Sequence, residues 1–339
     1  MARRKTSKLG TGWRRWLGLG ALAAGGAALA WLTRREPMPQ TVDDLGFDRF
    51  ERADEAAETD FTLPADSHES WLAGPSGTIR IVERNRGGQH TVLFVHGLGG
   101  CLEHWAGQLA ALPPSLHGVA VDLPGHGGSE ITGDPAELTV PMMAHSLGAV
   151  TDALGVRRLT LVAHSYGATV ATAWAGSAPR RVAGLFLVDP NGDQTKLDNK
   201  QRDGFLGALR SDTLGELRWH FSQILVGSQP QVRERVLMDL EQVDPETLLR
   251  LTERSVEYSP LTDLDRYTGP THALISEMND LETSLHRLRP ALPASKILGA
   301  SHWLMLDKPA TFNRVLADFL DEVRDRLAGS RPVPVVDEG

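Results

Sequence analysis

The sequence predicts an α/β fold in which a mostly parallel central sheet, flanked by helices, carries a helical cap insertion. Two observations lead to this class. Short apolar runs of strand length alternate along the chain with segments of helical periodicity, which is typical of a parallel sheet covered by helices. One stretch of about seventy residues, 191–262, interrupts the alternation with helical spacing and many charges, which favours a separate helical layer.

The strands are predicted in chain order from their apolar runs. Residues 70–73 and 78–82 flank a Gly-Pro-Ser-Gly turn, which indicates an opening hairpin. The runs that follow are apolar throughout, as expected for strands buried on both faces of a sheet. Four such runs precede the interruption, at 91–95, 118–121, 159–163 and 182–188, and the sheet resumes at 271–276 and 295–298.

Helical patterns complete the layout. Residues 138–154 have helical periodicity. After Pro309, apolar residues recur at the spacing of an amphipathic helix, which Gly329 is predicted to end. The predicted domains are an N-terminal basic and apolar segment at 1–36, a linker at 37–66, a core at 67–190 and 263–328, a helical cap at 191–262 and a disordered tail at 329–339.

The charge distribution argues against nucleic acid as a partner. The net charge is −8, but the first 36 residues carry eight basic side chains against one acidic side chain. The remaining chain has 27 basic and 42 acidic side chains. Phosphate binding needs clustered positive charge, which this acidic body does not offer.

The N-terminal segment is predicted to anchor the chain in a membrane. Residues 16–32 carry no charge, with six basic residues before them and Arg34-Arg35 after them. This asymmetry predicts that the amino end lies in the cytoplasm and the body of the chain outside it, in an extracytoplasmic space such as the periplasm. The run is at the low end of the length of a span and exceeds most signal-peptide cores. A cleaved signal that releases a secreted body is therefore the alternative.

No cofactor or metal is predicted. Cys101 is the single cysteine, so neither an intramolecular disulfide nor a cysteine-based metal site is expected. The glycine-rich stretch 97–100 follows a strand, but it lacks the spacing of a dinucleotide-binding turn and the Lys-Ser/Thr pair of a phosphate loop.

Ser165 is the candidate nucleophile. It is the centre of the pentapeptide 163–167, between the run 159–163 and a helix of small residues. A sharp strand-to-helix turn of this kind presents one serine at the mouth of a sheet. The strained turn requires small residues two positions before and after the serine, and Ala163 and Gly167 meet that requirement.

Four further motifs follow predicted strands, and together with Ser165 they resemble the α/β-hydrolase superfamily. The motifs are His96-Gly97-Leu98-Gly99-Gly100, Asp122-Leu123-Pro124-Gly125-His126-Gly127-Gly128-Ser129, Asn279-Asp280 and Ala300-Ser301-His302-Trp303. The resemblance covers about residues 70–190 and 263–328. It implies a nucleophile, an acid and a histidine in that chain order.

The residue types indicate how such a site would work. A serine hydroxyl needs an adjacent base at neutral pH, and His302 is the candidate. Asp280 is the predicted acid, which would fix the imidazole tautomer and stabilise the imidazolium. The resemblance implies Asp189, at the end of the run 182–188, as the alternative acid. The backbone N–H groups of Leu98 and Tyr166 are the predicted oxyanion donors.

Other residues compete for these roles. Glu277 lies one step after a strand and is interpreted as a capping residue, and Asp122 as a brace for its loop. The aromatic and methionine residues of the cap, Trp219, Phe221 and Met238 with Leu237, are expected in the cap core or along a substrate pocket. The other histidines compared with His302 are His96, His126, His145, His164 and His272.

The predicted function is hydrolysis of a carboxylic ester, of the esterase or lipase kind, through an acyl-enzyme. The serine argues against dehalogenases and epoxide hydrolases, which use an aspartate nucleophile in this superfamily. An apolar small-molecule ester is the expected substrate. The alternatives are a carbon–carbon bond hydrolase, a cofactor-free haloperoxidase-like enzyme and, in another class, a hydrolase-like ligand-binding or signalling protein.

Overall fold

A computed structural model describes residues 59–329, which contain one eight-stranded sheet with helices on both faces. The strand order across the sheet is β1-β2-β4-β3-β5-β6-β7-β8. β1 and β2 pair antiparallel, as do β2 and β4, and every other neighbouring pair is parallel. The strands are β1 His68–Gly74, β2 Gly77–Arg84, β3 His90–Val95, β4 Leu116–Val121, β5 Leu159–His164, β6 Val182–Val188, β7 Thr271–Ser276 and β8 Ala294–Ile297.

Helices connect the strands and form the cap. Short 3-10 turns lie between several of these elements, including one at Glu277–Asn279 that follows β7. The α-helices are α1 Ala106–Ala111, α2 Val140–Ala153, α3 Tyr166–Ser177, α4 Asn199–Ser211, α5 Thr213–Ile224, α6 Pro230–Gln242, α7 Pro245–Val256, α8 Leu261–Arg266, α9 Leu285–Leu288, α10 Leu304–Asp307 and α11 Pro309–Gly329.

The alternation of side chains along the central strands explains why apolar runs predicted them. In β3, Val92 and Phe94 pack into the apolar core on one face of the sheet, whereas Leu93 and Val95 pack into the core on the other face. Successive side chains of a strand point to opposite faces, so a strand covered on both faces must be apolar at every position. The predicted fold class, a mostly parallel sheet with flanking helices and a helical cap, is confirmed.

The helical cap begins after β6 and contains helices α4 to α7. Each of these helices starts at a sequence signal for an N-terminus. Asp198, Asp212 and Asp244 accept hydrogen bonds from backbone N–H groups in the first turns of α4, α5 and α7, at 2.9, 3.0 and 2.8 Å. Pro230 opens α6, where its missing N–H costs nothing. The cap boundaries at 191 and 262 stay predictions.

The end of the predicted linker packs against the body. Phe61 and Leu63 are partly buried against the larger apolar core. The Thr59 hydroxyl donates to the carbonyl of Leu306. The chain therefore enters the body beside α10 and the cap, several residues earlier than position 67.

The predicted N-terminal anchor at 1–36, most of the linker and the tail beyond Gly329 lie outside the described residues. Within 59–329, none of the helices combines the length and the apolar composition that a bilayer span requires.

The last helix packs closely on β6 because β6 contains Gly184. A Cβ atom added at Gly184 would lie 2.5 Å from Cγ2 of Val323 and 3.1 Å from the ring of Phe319. The absence of a side chain on this strand therefore lets α11 approach the sheet.

We expect Gly184→Ala to lower the free energy of unfolding by about 1–3 kcal/mol, because the added methyl overpacks the contact with α11. Chemical denaturation monitored by circular dichroism measures the change. Gly107→Ala is the matched control, because no atom lies within 4 Å of its added Cβ. It should leave stability unchanged or raise it by about 0.5–1 kcal/mol. Equal midpoints for the two variants would contradict the packing argument.

Candidate active site

Ser165 lies in a strained turn between β5 and α3. Its backbone dihedrals are φ 53° and ψ −117°, in a region that non-glycine residues rarely adopt. The turn also explains the small residues around it. A Cβ atom added at Gly167 would lie 2.2 Å from the carbonyl oxygen of His96, and Ala163 is fully buried in the sheet. The turn places the serine hydroxyl at the carboxyl edge of the sheet.

A continuous chain of hydrogen bonds joins Ser165, His302 and Asp189. The Nε2 atom of His302 lies 2.8 Å from Oγ of Ser165, and its Nδ1 atom lies 2.7 Å from Oδ2 of Asp189. All three side chains are buried. In this arrangement the carboxylate accepts from Nδ1–H, which leaves Nε2 free to accept the serine proton.

Asp189 is held by four hydrogen-bond donors. It follows β6 directly and has a positive φ of 41°. Oδ1 accepts from the N–H of Ser276 at 2.6 Å and from Nδ2 of Asn279 at 3.1 Å. Oδ2 accepts from the hydroxyl of Ser276 at 2.9 Å in addition to His302. These contacts satisfy a fully buried charge and fix its orientation.

The prediction that Asp280 contacts His302 is wrong. Asp280 instead makes ion pairs with Arg287 at 2.5 Å and with Lys296 at 2.9 Å, and accepts from Nε2 of His286 at 3.1 Å. Burial alone would raise the pKa of this carboxyl, but the three partners hold it well below its usual range. Asp280 is thus a surface carboxylate, and the alternative acid Asp189 occupies the predicted place.

The reason for the correction lies in the loop after β7. The 3-10 turn Glu277–Asn279 directs Asn279 inward, where it is buried and donates to Asp189. The next residue, Asp280, is then directed outward. The Asn279-Asp280 motif therefore does contribute to the site, but through its asparagine.

The two predicted oxyanion donors flank the serine. Tyr166 is the first residue of α3, so its N–H has no acceptor within the helix. The loop after β3 approaches closely because it contains Gly97, where an added Cβ atom would lie 3.1 Å from Cβ of Ser165. The peptide that follows Gly97 therefore lies near the nucleophile, and the oxyanion roles of Leu98 and Tyr166 stay predictions.

His96 holds the peptide that carries the Leu98 N–H. Its Nδ1 lies 2.7 Å from the Gly97 carbonyl, which also accepts from the N–H of Gly100 at 3.1 Å. The Nε2 atom accepts from the N–H of Leu123 at 2.9 Å, so Nδ1 carries the proton. Burial lowers the pKa of His96 well below its usual range. Since N–H and C=O point in opposite directions in a trans peptide, the Leu98 N–H is directed away from His96.

His164, the residue before the nucleophile, braces the base. Its Nε2 donates to the backbone carbonyl of His302 at 2.9 Å. Burial, and next the neighbouring His302, lower the pKa of His164 well below its usual range, so the ring is neutral. His164 thus positions the loop that carries His302.

The remaining histidines do not compete with His302. His126 packs beside His96 with ring centroids 5.1 Å apart, and His145 is exposed on α2. His272 contacts the hydroxyl of Ser295 at 2.7 Å and stacks on Phe186. Among the histidines compared from the sequence, His302 alone lies within hydrogen-bond distance of the Ser165 hydroxyl.

Asn191 is a site residue that the sequence did not single out. Its side-chain oxygen lies 3.2 Å from Oγ of Ser165, and the residue is 5% exposed. A serine hydroxyl has one proton and cannot donate to His302 and to Asn191 at once. If the amide is flipped, its Nδ2 donates to Oγ and both contacts are hydrogen bonds together. A polar residue just after the acid strand was the available signal.

Three side chains that could bind a metal ion lie next to the loop that carries Leu98, but the guanidinium of Arg235 already contacts two of them. Cys101, His104 and Asp239 place one donor atom each within 4.8 Å of one another. The guanidinium of Arg235 contacts Asp239 at 2.8 Å and Sγ of Cys101 at 3.4 Å. Burial raises the pKa of the Cys101 thiol, which therefore keeps its proton. A metal ion would have to displace both that proton and Arg235.

Comparisons with known proteins agree with this architecture. The sequence profile described as alpha/beta hydrolase fold matches residues 90–231. The chain is 34% identical over 182 residues to the dihydrolipoyllysine-residue acetyltransferase component of the acetoin cleaving system of Cupriavidus necator, covering 54% of this chain and 47% of that protein. It is 22% identical over 269 residues to monoacylglycerol lipase abhd6-B of Xenopus laevis, covering 70% and 77%. The chain spans about half or less of the length of the first curated relatives it matches.

Solved structures share the fold. A thermophilic esterase from Thermogutta terrifontis superposes with a TM-score of 0.61 at 22% identity, covering 76% of this chain and 99% of that one. At this identity the likeness concerns the fold alone.

Asp189→Asn should slow phosphonylation of Ser165 by a fluorophosphonate probe about 10³- to 10⁴-fold, because an amide at this position favours the wrong imidazole tautomer. Asp280→Asn is the matched control and should react within about threefold of the wild-type rate, since surface ion pairs contribute little. In-gel fluorescence at timed intervals measures both rates. The reverse order of effects would return the acid role to Asp280.

We expect Asn191→Ala to slow the same phosphonylation about tenfold, the equivalent of one lost hydrogen bond to the serine oxygen. Asn191→Asp should slow it further, because a carboxylate competes with His302 for the serine proton. Thermal unfolding of each variant controls for loss of the fold. A wild-type labelling rate in Asn191→Ala would show that the contact is incidental.

Proposed function

We propose that this chain, which has the alpha/beta hydrolase fold, is a hydrolase that cleaves carboxylic esters through an acyl-enzyme formed on Ser165. The hydrogen-bond chain from Ser165 through His302 to Asp189 is the observation that carries the proposal. A buried, oriented imidazole beside a strained serine has the arrangement of a nucleophile with its general base.

The first half-reaction transfers the acyl group to the serine. Oγ of Ser165 attacks the ester carbonyl while Nε2 of His302 takes the hydroxyl proton. The carbonyl oxygen becomes an oxyanion, which accepts from the N–H groups of Leu98 and Tyr166, each worth about 3 kcal/mol of the barrier. The C–O bond to the alcohol then breaks, and His302 returns the proton to the leaving alkoxide oxygen.

The second half-reaction releases the acid. Water attacks the acyl carbonyl and loses a proton to Nε2 of His302, and the same donors hold the new oxyanion. Collapse expels Oγ of Ser165, which regains a proton from His302. Through both steps, Asp189 stabilises the imidazolium without itself becoming protonated. With its amide flipped, Asn191 donates from Nδ2 to Oγ and assists whenever negative charge passes through that oxygen.

The predicted membrane location belongs to the same proposal. The apolar run 16–32 with its flanking arginines would hold the enzyme at a membrane with the hydrolase body on the extracytoplasmic side. Mass spectrometry of the mature amino end separates this arrangement from a secreted body, because retention of residues 1–36 is expected only for the anchor.

We expect the purified full chain in mild detergent to hydrolyse p-nitrophenyl esters with a pre-steady-state burst. Ser165→Ala should abolish the burst and lower turnover by at least about 10³-fold, because no nucleophile remains to form the acyl-enzyme. Ser177→Ala is the control, since that serine lies at the far end of α3. Absence of turnover together with absence of Ser165 labelling would favour a ligand-binding protein. Strong turnover of a vinylogous diketone with weak esterase activity would favour carbon–carbon hydrolysis.

A further inference from the structure

One hairpin of the cap carries three of the four exposed large apolar side chains in the described part of the chain. Within residues 59–329, four large apolar side chains are exposed, and three of them lie on helices α5 and α6 or on the loop 225–229 between them. They are Trp219, Val226 and Met238, which are 45%, 58% and 49% exposed. We refer to α5, α6 and this loop as the α5–α6 hairpin.

The three side chains share one outer face of the hairpin. The two helices are antiparallel and are joined by an ion pair between Arg218 and Glu241. Trp219 is the neighbour of Arg218, and Met238 lies one turn before Glu241, so both are at the same level of the hairpin. The buried residues are Leu217, His220, Phe221 and Ile224 on α5 and Val232, Val236 and Leu240 on α6, so Trp219 and Met238 lie on the opposite, outer sides of the two helices. Val226 lies in the loop just after α5, at the tip of the hairpin.

The inner side of the hairpin contacts the base loop of the candidate site. The backbone N–H of His302 donates to the carbonyl of Ile224 at 3.2 Å. The hydroxyls of Ser228 and Ser301 are 2.8 Å apart. Phe221 packs on Trp303 with ring centroids 5.4 Å apart. The end of α5 is thus bonded directly to the catalytic histidine.

The same hairpin contacts residues 96–104 after β3, which include Leu98 and which we call the oxyanion loop. Asp239 of α6 accepts from Nε2 of His104 at 2.9 Å. A Cβ atom added at Gly99 would lie 2.6 Å from Cδ1 of Leu240, so α6 sits directly on this loop. The hairpin therefore bridges the two halves of the site, and its outer face is directed away from the body.

The position of the N-terminal chain indicates what covers this face. The guanidinium of Arg235 on α6 lies 5.0 Å from the ring centroid of Phe61, so the chain enters the body beside the hairpin. Residues 33–58 join this point to the apolar run 16–32. Such a tether spans at most about 90 Å when extended, which is ample to bring the hairpin face onto the bilayer.

We propose that the outer face of the α5–α6 hairpin docks on a lipid bilayer, and that the esters cleaved at Ser165 are lipid esters taken from that surface. The proposal deepens the proposed ester hydrolysis and rests on it for the substrate. Tryptophan and methionine side chains insert readily at a bilayer surface. Because the body is acidic, charge does not attract it to anionic lipid, and docking depends on these apolar side chains.

Depth of insertion tests the docking without reference to activity. The full chain is reconstituted in nanodiscs made from phosphatidylcholine brominated on one acyl chain, and its tryptophan fluorescence is compared with that in unbrominated nanodiscs. Trp16 and Trp31 of the predicted anchor are expected to be quenched in every variant. We expect a further part of the quenching to be lost in Trp219→Phe and retained in Trp71→Phe, the matched exposed tryptophan on β1. Equal quenching in wild type and Trp219→Phe overturns the proposal.

Turnover tests the substrate source. Trp219→Ser, Val226→Ser and Met238→Ser are combined, and hydrolysis is measured for a fluorogenic acylglycerol embedded in the nanodisc and for soluble p-nitrophenyl acetate. We expect at least a tenfold loss on the embedded ester and an unchanged rate on the soluble ester, whereas Trp71→Ser changes neither. Equal losses on both substrates, or no loss on the embedded ester, overturn the proposal.

Two outcomes separate this proposal from its premise and from another occupant. If wild type hydrolyses neither ester, the proposed function fails, while the quenching result still decides the docking. If the triple variant converts a detergent-solubilised dimer into a monomer and Trp219→Phe leaves the quenching by brominated lipid unchanged, the face binds a second copy. That result overturns lipid docking.

Discussion

The buried carboxylate of Asp189 is the interaction on which the remainder of the site depends. A charge taken fully out of water is costly unless hydrogen bonds replace its hydration. Here the donors come from Ser276, Asn279 and His302, which belong to the end of β7, the turn after it and the loop after β8. Satisfying one charge therefore fixes three neighbouring chain segments at the carboxyl edge of the sheet. The position of the imidazole against Ser165 follows from that constraint.

The sheet in turn stabilises the two strained residues that the site requires. Ser165 and Asp189 have positive φ angles, and each follows a buried parallel strand. The N–H of Ser165 donates to the carbonyl of Val188 at 3.0 Å, and the N–H of Asp189 donates to the carbonyl of Leu274 at 2.7 Å. The parallel ladder thus continues through both strained positions. Strain of this kind persists only where the surrounding structure over-determines it, as these ladder bonds do.

The cap forms direct hydrogen bonds to the loops that carry the candidate site. The α5–α6 hairpin bonds to the histidine loop through Ile224 and to the oxyanion loop through Asp239. A movement of the hairpin would therefore displace both the loop that carries His302 and the loop that carries Leu98. The cluster of Cys101, His104, Asp239 and Arg235 has a clear role in this view, because it fastens α6 to the loop that carries Leu98.

The sequence by itself determined the strands, the candidate nucleophile and the fold class. Runs such as 91–95 and 182–188 are apolar at every position because a sheet covered on both faces leaves no other choice, and that burial is written locally in the chain. Ser165 was identified from its small neighbours for the same local reason. Only the tertiary structure decided that Asp189 rather than Asp280 faces the histidine, and that Asn191 reaches the serine. Both aspartates follow a strand, so spacing cannot separate them. The choice depends on one backbone dihedral at Asp189 and on a turn that directs Asn279 inward, and both are set by contacts between residues far apart in sequence.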